Sequence, residues 1–448
     1  MALLVDLYEL TMAQSYFVYK RNTLATFDLF VRDLPPNRNY LVACGLTDVL
    51  NYLKNLRFSR QDLDYLDKLK LFSQDFLKFL ARLKFKGDVW ALPEGTVCFT
   101  QEPIIRVTAS IIEAQIIESF LLNTVNLQAM IASKASRVVC ASKDRKVYDF
   151  SLRRTHGSDA AIKVARSSYI AGFCGTSNVL SGMLYKIPLV GTMAHSFVMS
   201  FKQEMDSFLA YAHIFPDKSI LLVDTYDTKK GIKNAIEVAD YLKARGHCLQ
   251  GIRLDSGDIA YLSVWARRML DEAGLDYVKI FASGNLDEFK IRNLIKRGAQ
   301  VDSFGVGTNM GTSIDAPSLD VIYKISEVTD DNGEFLPTMK LSKGKVTYPG
   351  RKQVFRVEDR KKRFVKDVLG LEGEKVRGRP LLVKVMQKGK IIYRAPSLDK
   401  IRNFAQNNLS RFPEKLKDIH AEYQYPVLIS PKLFRLRQNL TQQLGHRQ

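Results

Sequence analysis

The sequence predicts an α/β chain: a parallel β/α core, set between an N-terminal α+β lobe and a basic C-terminal segment. Three observations carry this. Strand-like and helix-like patterns alternate four times between Ile220 and Thr308. The first 125 residues mix long amphipathic helices with short strands. At 448 residues, the chain is long enough for two or three domains of about 100–200 residues each.

In the N-terminal part, Leu3, Leu7, Leu10, Ala13 or Gln14, and Phe17 fall at helical spacing over 1–20. Thr26–Val31 is rich in β-formers and ends at the breaker Pro35-Pro36. Residues 46–84 read as mostly helical, 87–107 as short strands, and 110–145 as long helix. In the middle, Ile220–Val223, Leu249–Leu254, Tyr277–Phe281 and a strand opening at Ser303-Phe304 are each followed by a short polar loop, and the first three loops lead into helices. Such alternation demands a parallel sheet, because each helix returns the chain to start the next strand. Polar strand ends that recur without a switch point favour a barrel over a doubly wound open sheet. Residues 340–395 read as β-rich and 396–448 as helical, broken by Pro413, Pro426 and Pro431. The expected divisions are 1–125, 126–335 and 336–448.

Composition narrows the function classes. Hydrophobic residues make up 46% and charged residues 25%, a globular balance. No run approaches the roughly 18–20 apolar residues of a membrane helix, and Asp6 interrupts the start too early for a signal-peptide core. The expectation is a cytoplasmic protein without a membrane partner. Five scattered cysteines show no CxxC pair and no zinc spacing, so reduced thiols and no structural metal are expected. The net charge is +20, and residues 331–448 hold about 27 Lys and Arg against about 11 Asp and Glu. A basic surface serves nucleic acid, anionic lipid, acidic small molecules or plain solubility. The aromatics of this segment form no RNP-like array, so a nucleic-acid module is the weaker reading.

Four runs could carry chemistry. Gly305-Val306-Gly307-Thr308-Asn309-Met310-Gly311 can cradle an anion with backbone N–H groups and the Thr308 hydroxyl, though the same glycines suit a plain tight turn. Its spacing is not that of a dinucleotide fold. Asp149 to Gly157 sets Phe150 beside Arg153 and Arg154: a ring to stack on and guanidiniums for a carboxylate or phosphate, or simply a core Phe and surface arginines. Gly191 to Ser196 places His195 among small residues after an apolar run, as a nucleophile toward phosphate, an acid/base, or a structural histidine. The strand ends bear Arg253, Asp255, Asp227, Ser283 and Gly307-Thr308. Asp224, Asp227, Asp255 and Asp258 there are candidate ribose or magnesium-diphosphate contacts, with helix capping the simpler role, above all for Asp258.

Taken in order, these runs resemble the nicotinate phosphoribosyltransferases over essentially the whole chain. The resemblance also rests on Asp6 to Met12, Phe30 to Pro35, Leu122 to Asn126 and Tyr348 to Lys352. It implies an irregular β/α barrel of the type II phosphoribosyltransferase kind, with an N-terminal lobe completed by C-terminal segments, in a homodimer with shared active sites. It implies nicotinate, 5-phosphoribosyl 1-diphosphate and ATP as substrates, Mg2+ as cofactor, and a phosphohistidine at His195. By position Phe150 stacks on the pyridine ring, and Tyr8 of the partner subunit covers its other face. Arg153 and Arg253 meet charge near the ring. Asp255 holds the ribose hydroxyls, Gly284, Gly307 and Thr308 the 5′-phosphate, and Arg32, Lys340 and Arg351 diphosphate or ATP phosphates. Glu9 and Val5 depart from the family's glutamine and threonine. The run Ile187-Pro188-Leu189-Val190 lacks the aspartate of amide-using relatives, which favours the acid. The alternatives are nicotinamide or quinolinate as substrate, or a basic nucleic-acid-binding protein.

Overall fold

The structure is a computed structural model that describes residues 1–342 and 347–445. Residues 343–346 and 446–448, which fall within the expected β-rich and helical C-terminal stretches, lie outside the described residues. The chain divides into two compact units, one formed by 1–130 with 318–448 and the other by 131–317.

The 131–317 unit is built on five short strands: β1 (Lys146–Asp149), β2 (Ile220–Leu222), β3 (Gly251–Leu254), β4 (Lys279–Ala282) and β5 (Ser303–Val306). They hydrogen-bond in the order β1-β5-β4-β3-β2, every pair parallel. Leu221, Leu222, Ile252, Leu254, Ile280, Ala282, Phe304 and Val306 are all fully buried, as strands covered on both faces must be. Parallel bridges continue the order beyond β1, from Asp149 to Thr176 and from Thr176 to Leu189. Among the described residues no strand pairing joins Leu189 to β2, so the ring is not closed by backbone. Side chains span that gap at the carboxyl end, where His195 Nδ1 lies 3.1 Å from Thr225 Oγ1.

Three of the strand ends, those of β2, β3 and β4, feed capped helices. Asp227, Asp258 and Asp287 accept from the backbone N–H of Lys230, Tyr261 and Lys290 to start the helices Thr228–Lys243, Ile259–Glu272 and Glu288–Lys296. Each cap is worth about 1 kcal/mol. The strands lie within a residue or two of their expected positions, since only the buried ends of the apolar runs pair.

The other unit holds a seven-stranded sheet in the order Phe335–Pro337, Val321–Thr329, Leu24–Val31, Ile105–Ser110, Asp88–Ala91, Val383–Gln387, Lys390–Ile391. Leu24–Val31 pairs antiparallel with both Val321–Thr329 and Ile105–Ser110. For this reason the division after the parallel unit falls at Pro317, where the sequence reading put it at 335. A four-stranded sheet (Arg379–Pro380, Lys352–Glu358, Phe364–Leu371, Val427–Ile429) completes the unit. Its buried Arg356 is paired with Asp367 at 2.6 Å. The first helix runs Leu7–Tyr19 rather than from residue 1, because Asp6 sits extended at its N-cap. The 110–145 helix is two helices, Ile111–Ile116 and Glu118–Ser142. Among the described residues, no helix is long and apolar enough to cross a membrane.

Candidate active site

At the carboxyl ends of the parallel strands, the 131–317 unit opens into a cavity of about 510 Å³, and Phe150, Arg153, His195, Arg253 and Asp255 all line it. Residues adjacent at strand ends but far apart in sequence converge there, as this topology requires.

Phe150 follows β1 and is held by its own N–H on the Val306 carbonyl at 2.9 Å. Its ring stacks on Phe281 with centroids 5.5 Å apart and planes 21° from parallel. This stack exists because residue 305 is glycine: a Cβ there would lie 2.8 Å from both rings. Arg253 Cζ stands 5.8 Å from the Phe150 centroid, a cation over an aromatic face. Arg153, on the 3-10 turn Leu152–Arg154, is exposed at the rim.

Arg253 organises the opposite wall. Its Nε donates to Ser283 Oγ at 2.8 Å, one terminal nitrogen to Thr192 Oγ1 at 2.9 Å and to the Met193 carbonyl at 3.2 Å, and the other to Asp255 Oδ1 at 2.6 Å. The Ser283 hydroxyl donates to the same carboxylate oxygen. Burial works against the Asp255 charge, but the hydrogen bonds from Ser283 and Arg253 and the charges of Arg253 and His195 outweigh it. Its carboxyl therefore lies below the ordinary range. His195 Nε2 is 3.8 Å from Asp255 Oδ2. Gly284 has φ +100°, and a Cβ on it would come within 2.0 Å of the Asp255 carbonyl oxygen. Gly307, at the end of β5, lies against the Phe150 backbone, where a Cβ would sit 3.1 Å from the carbonyl oxygen. Thr308 is next to it and half-buried.

Asp224 ends the segment after β2. Its Oδ2 accepts from the Asp255 N–H at 2.9 Å and the Ser256 hydroxyl at 2.6 Å. Its Oδ1 is buried without a hydrogen-bond partner. An unmatched anionic oxygen beside Asp255 fits a magnesium ion, which takes one or two carboxylates and otherwise waters and phosphate oxygens. Among the described residues, no group of three or more His, Cys, Asp or Glu is placed to hold a metal.

The remaining expected residues stand elsewhere. Asp227 is exposed and caps its helix, and Asp258 does the same while pairing with Arg297 at 2.6 Å. Tyr8, Arg32, Lys340 and Arg351 belong to the other unit. There Arg32 pairs with Asp320 at 3.2 Å, Arg351 bonds Glu327 and lies 4.1 Å over the Phe335 ring, and Lys340 is exposed. Tyr8 lines a second cavity of about 450 Å³ with Asp6, Glu9, Ser119 and Asn123.

Sequence reasoning missed two residues of the site. Phe281, on the strand Lys279–Ala282, stacks against the Phe150 ring. Ser177 lines the cavity with a hydroxyl that bonds nothing among the described residues. Its signal was the small polar run Gly175-Thr176-Ser177-Asn178, which carries the single parallel bridge at Thr176. In contrast, Ile187–Val190 does not line the cavity.

Comparison with known proteins agrees with this architecture. Sequence profiles for the nicotinate phosphoribosyltransferase (NAPRTase) N-terminal domain, family and C-terminal domain match residues 3–126, 145–366 and 374–437. The chain is 48% identical over 434 residues to nicotinate phosphoribosyltransferase pncB2 of Mycobacterium tuberculosis, covering 96% of this chain and 92% of that one. It is 39% identical over 460 residues to the nicotinate phosphoribosyltransferase of Bacillus subtilis, covering 96% and 93%. The crystal structure of human nicotinic acid phosphoribosyltransferase superposes with a TM-score of 0.86 at 28% identity, covering 97% and 99%. That of the nicotinate-nucleotide pyrophosphorylase of Pyrococcus furiosus gives 0.73 at 25% identity, covering 92% and 95%. The irregular β/α-barrel class expected from the sequence is thus the fold of the chain, and the chain belongs to the nicotinate phosphoribosyltransferase family.

Proposed function

We propose that the chain makes nicotinate mononucleotide and diphosphate from nicotinate and 5-phosphoribosyl 1-diphosphate, in NAD synthesis, with ATP hydrolysis coupled through a phosphohistidine at His195. The observation that carries this reading is the convergence of Phe150, Arg153, His195, Arg253 and Asp255 on one cavity, with Gly307 against its ring platform.

Transfer at the anomeric carbon forms a bond to the ring nitrogen while the bond to the diphosphate oxygen breaks. Positive charge develops on the ribose, so the protein must hold a poor nucleophile and an anionic leaving group in line. Phe150 is the platform for the pyridine ring. Arg153 and Arg253 line the cavity with Phe150, and both suit the ring's carboxylate and the phosphates. Asp255, kept ionised by Arg253 and Ser283, accepts the ribose hydroxyls and faces the developing positive charge. Gly284, Gly307 and Thr308 adjoin the 5′-phosphate. Asp255 and the spare oxygen of Asp224 would hold Mg2+, which neutralises diphosphate charge when bound. Tyr8 of the partner subunit would cover the second face of the ring in a homodimer, and Arg32, Lys340 and Arg351 would meet diphosphate or ATP phosphates.

His195 is set up as a nucleophile. When Nδ1–H donates to Thr225, Nε2 keeps its lone pair free to attack the γ-phosphorus, and ADP leaves. Hydrolysis of the phosphohistidine later returns the imidazole and releases phosphate. The Ser177 hydroxyl can donate to the ring substituent, and the Arg153 guanidinium supplies the charge that suits a carboxylate better than an amide.

The test is incubation with ribose diphosphate, Mg2+ and each of nicotinate, nicotinamide and quinolinate, with and without ATP, followed by mass analysis. Nicotinate mononucleotide from nicotinate, raised by ATP, is expected. Product from nicotinamide alone, or carbon dioxide release from quinolinate, overturns the substrate assignment. His195→Ala should abolish ATP consumption and leave slow ATP-independent transfer; unchanged coupling removes His195 from the ATP step.

A further inference from the structure

Asp149 closes β1 immediately before Phe150, and the transfer chemistry above gives it no task. It is 1% exposed. A carboxyl in such a place is costly unless its oxygens are hydrogen-bonded, and here both are. Oδ1 accepts from the Ser151 N–H at 2.9 Å and the Ser151 hydroxyl at 2.5 Å, and Oδ2 accepts from the Thr176 hydroxyl at 2.7 Å. Backbone bonds reinforce the join: the Asp149 N–H donates to the Gly175 carbonyl and the Ser177 N–H to the Asp149 carbonyl, both at 2.9 Å. The Thr176 hydroxyl also accepts from the Asn178 N–H at 3.1 Å, and Asn178 caps the helix Val179–Tyr185.

One carboxyl therefore grips the turn that leaves Phe150 on one side and the 176–178 segment on the other. Both are walls of the cavity, since Phe150 and Arg153 come from the first and Ser177 from the second. Asp149 does not line the cavity itself. It can act on a bound ring only through the walls it joins.

We propose that Asp149 is a positioning residue for the pyridine ring, its buried carboxyl fixing the Phe150 platform and the Ser177 wall at the spacing the ring occupies. The proposal rests on the transfer reading above. Burial raises the Asp149 carboxyl above its ordinary range, against the bonds from Ser151 and Thr176. The bonds to Ser151 and Thr176 are what tie the two walls together. An amide of the same shape preserves that arrangement: Oδ1 keeps both Ser151 donors, and Nδ2 donates to the Thr176 oxygen in place of receiving its proton.

The experiment compares Asp149→Ala and Asp149→Asn in the full chain, by steady-state kinetics and hydrogen exchange. Asp149→Ala should raise KM for nicotinate by about tenfold or more while KM for ribose diphosphate stays within about twofold, because a shift near 1 Å in a bound reactant costs that much or more. Asp149→Asn should stay within about threefold of the native chain on both. Exchange over 149–157 and 175–180 should quicken in the alanine variant and not in the asparagine variant, with 251–254 unchanged in both. Equal rises in both KM values, native exchange in both segments, or an asparagine variant as poor as alanine overturns the proposal. If the alanine variant does not fold, Thr176→Val removes the bond to Oδ2 together with the one from the Asn178 N–H: faster exchange that reaches 149–157 as well as 175–180 supports the pin, and native exchange over 149–157 refutes it. A native chain that makes no nucleotide from nicotinate sinks the transfer reading, and the exchange comparison still decides whether Asp149 joins the two walls.

Discussion

Two cavities of comparable size treat their carboxylates in opposite ways. In the strand-end cavity of about 510 Å³, Asp255 takes two hydrogen bonds from Arg253 and Ser283 and its carboxyl is held low. In the cavity of about 450 Å³ beside Tyr8, Glu9 is fully buried, with Oε1 on the Ser119 hydroxyl at 2.6 Å and Oε2 without a partner. Burial and the neighbouring charges of Glu118 and Asp6 outweigh that one bond and push the Glu9 carboxyl up to about 7. The same charges, after burial, also raise the Tyr8 phenol. Hydrogen bonds from a hydroxyl and a guanidinium keep the half-buried Asp255 ionised, whereas the fully buried Glu9 faces like charges instead. The first cavity keeps a fixed anion among cations and hydroxyls, which suits a phosphorylated sugar with developing positive charge. The second gathers acidic groups and holds a proton near neutrality.

The largest effect is expected at Gly284. A methyl there meets the Asp255 carbonyl at 2.0 Å on a backbone at φ +100°, so Gly284→Ala should lower activity by about 10³-fold or more and reduce the melting temperature. Native activity in that variant would mean the Asp255 loop is not under the restraint described. Next comes Arg253→Ala, which leaves Asp255 without its cation; kcat/KM should fall by about 10²–10³-fold. A loss under tenfold would show that Arg253 is not the organiser of that wall. Gly305→Ala should wedge Phe150 off Phe281 and raise KM for nicotinate by about tenfold, with little change for ribose diphosphate.

The smallest effect sharpens the contrast through pH. The folded chain holds the Glu9 proton up to about 7, and the unfolded chain releases it in the ordinary glutamate range. The Glu9 contribution is therefore most favourable on the acid side and declines as pH rises from that range through about 7. Glu9→Gln should remove this decline, so the variant gains melting temperature over the native chain at pH 8 and not at pH 4. Asp255 has the opposite sign: its lowered carboxyl adds stability present at neutral pH and lost as pH falls below the ordinary range. Parallel melting curves for native and Glu9→Gln chains across pH would contradict the buried-proton account.

Much of the strand-end cavity was legible because a parallel β/α pattern places each loop after its strand, so Asp255, Ser283 and Gly307 could be read as neighbours from local pattern alone. Ser177 escaped because its strand is a single bridge at Thr176, too short to show periodicity. Phe281 reads as core in any sequence, and its place under Phe150 depends on the gap that Gly305 leaves. The antiparallel sheet was not legible either: Ala25 pairs with Val328 and Ala91 with Val383, and pairings separated by hundreds of residues leave no local mark. Glu9 could be noticed as a departure from a family pattern, but nothing in a helix with exposed Leu7 and Tyr8 on either side of it in space announces a fully buried carboxyl.

If the ends of the parallel strands form one seat for a pyridine ring and a ribose phosphate, a crystal of the chain soaked with nicotinate mononucleotide will show both groups there. The ring should lie flat on Phe150 with its carboxylate turned toward Arg153 or Ser177, the ribose hydroxyls on Asp255 and the phosphate against Gly284 and Gly307-Thr308. A nucleotide bound away from Phe150, or with its ribose remote from Asp255, would contradict it.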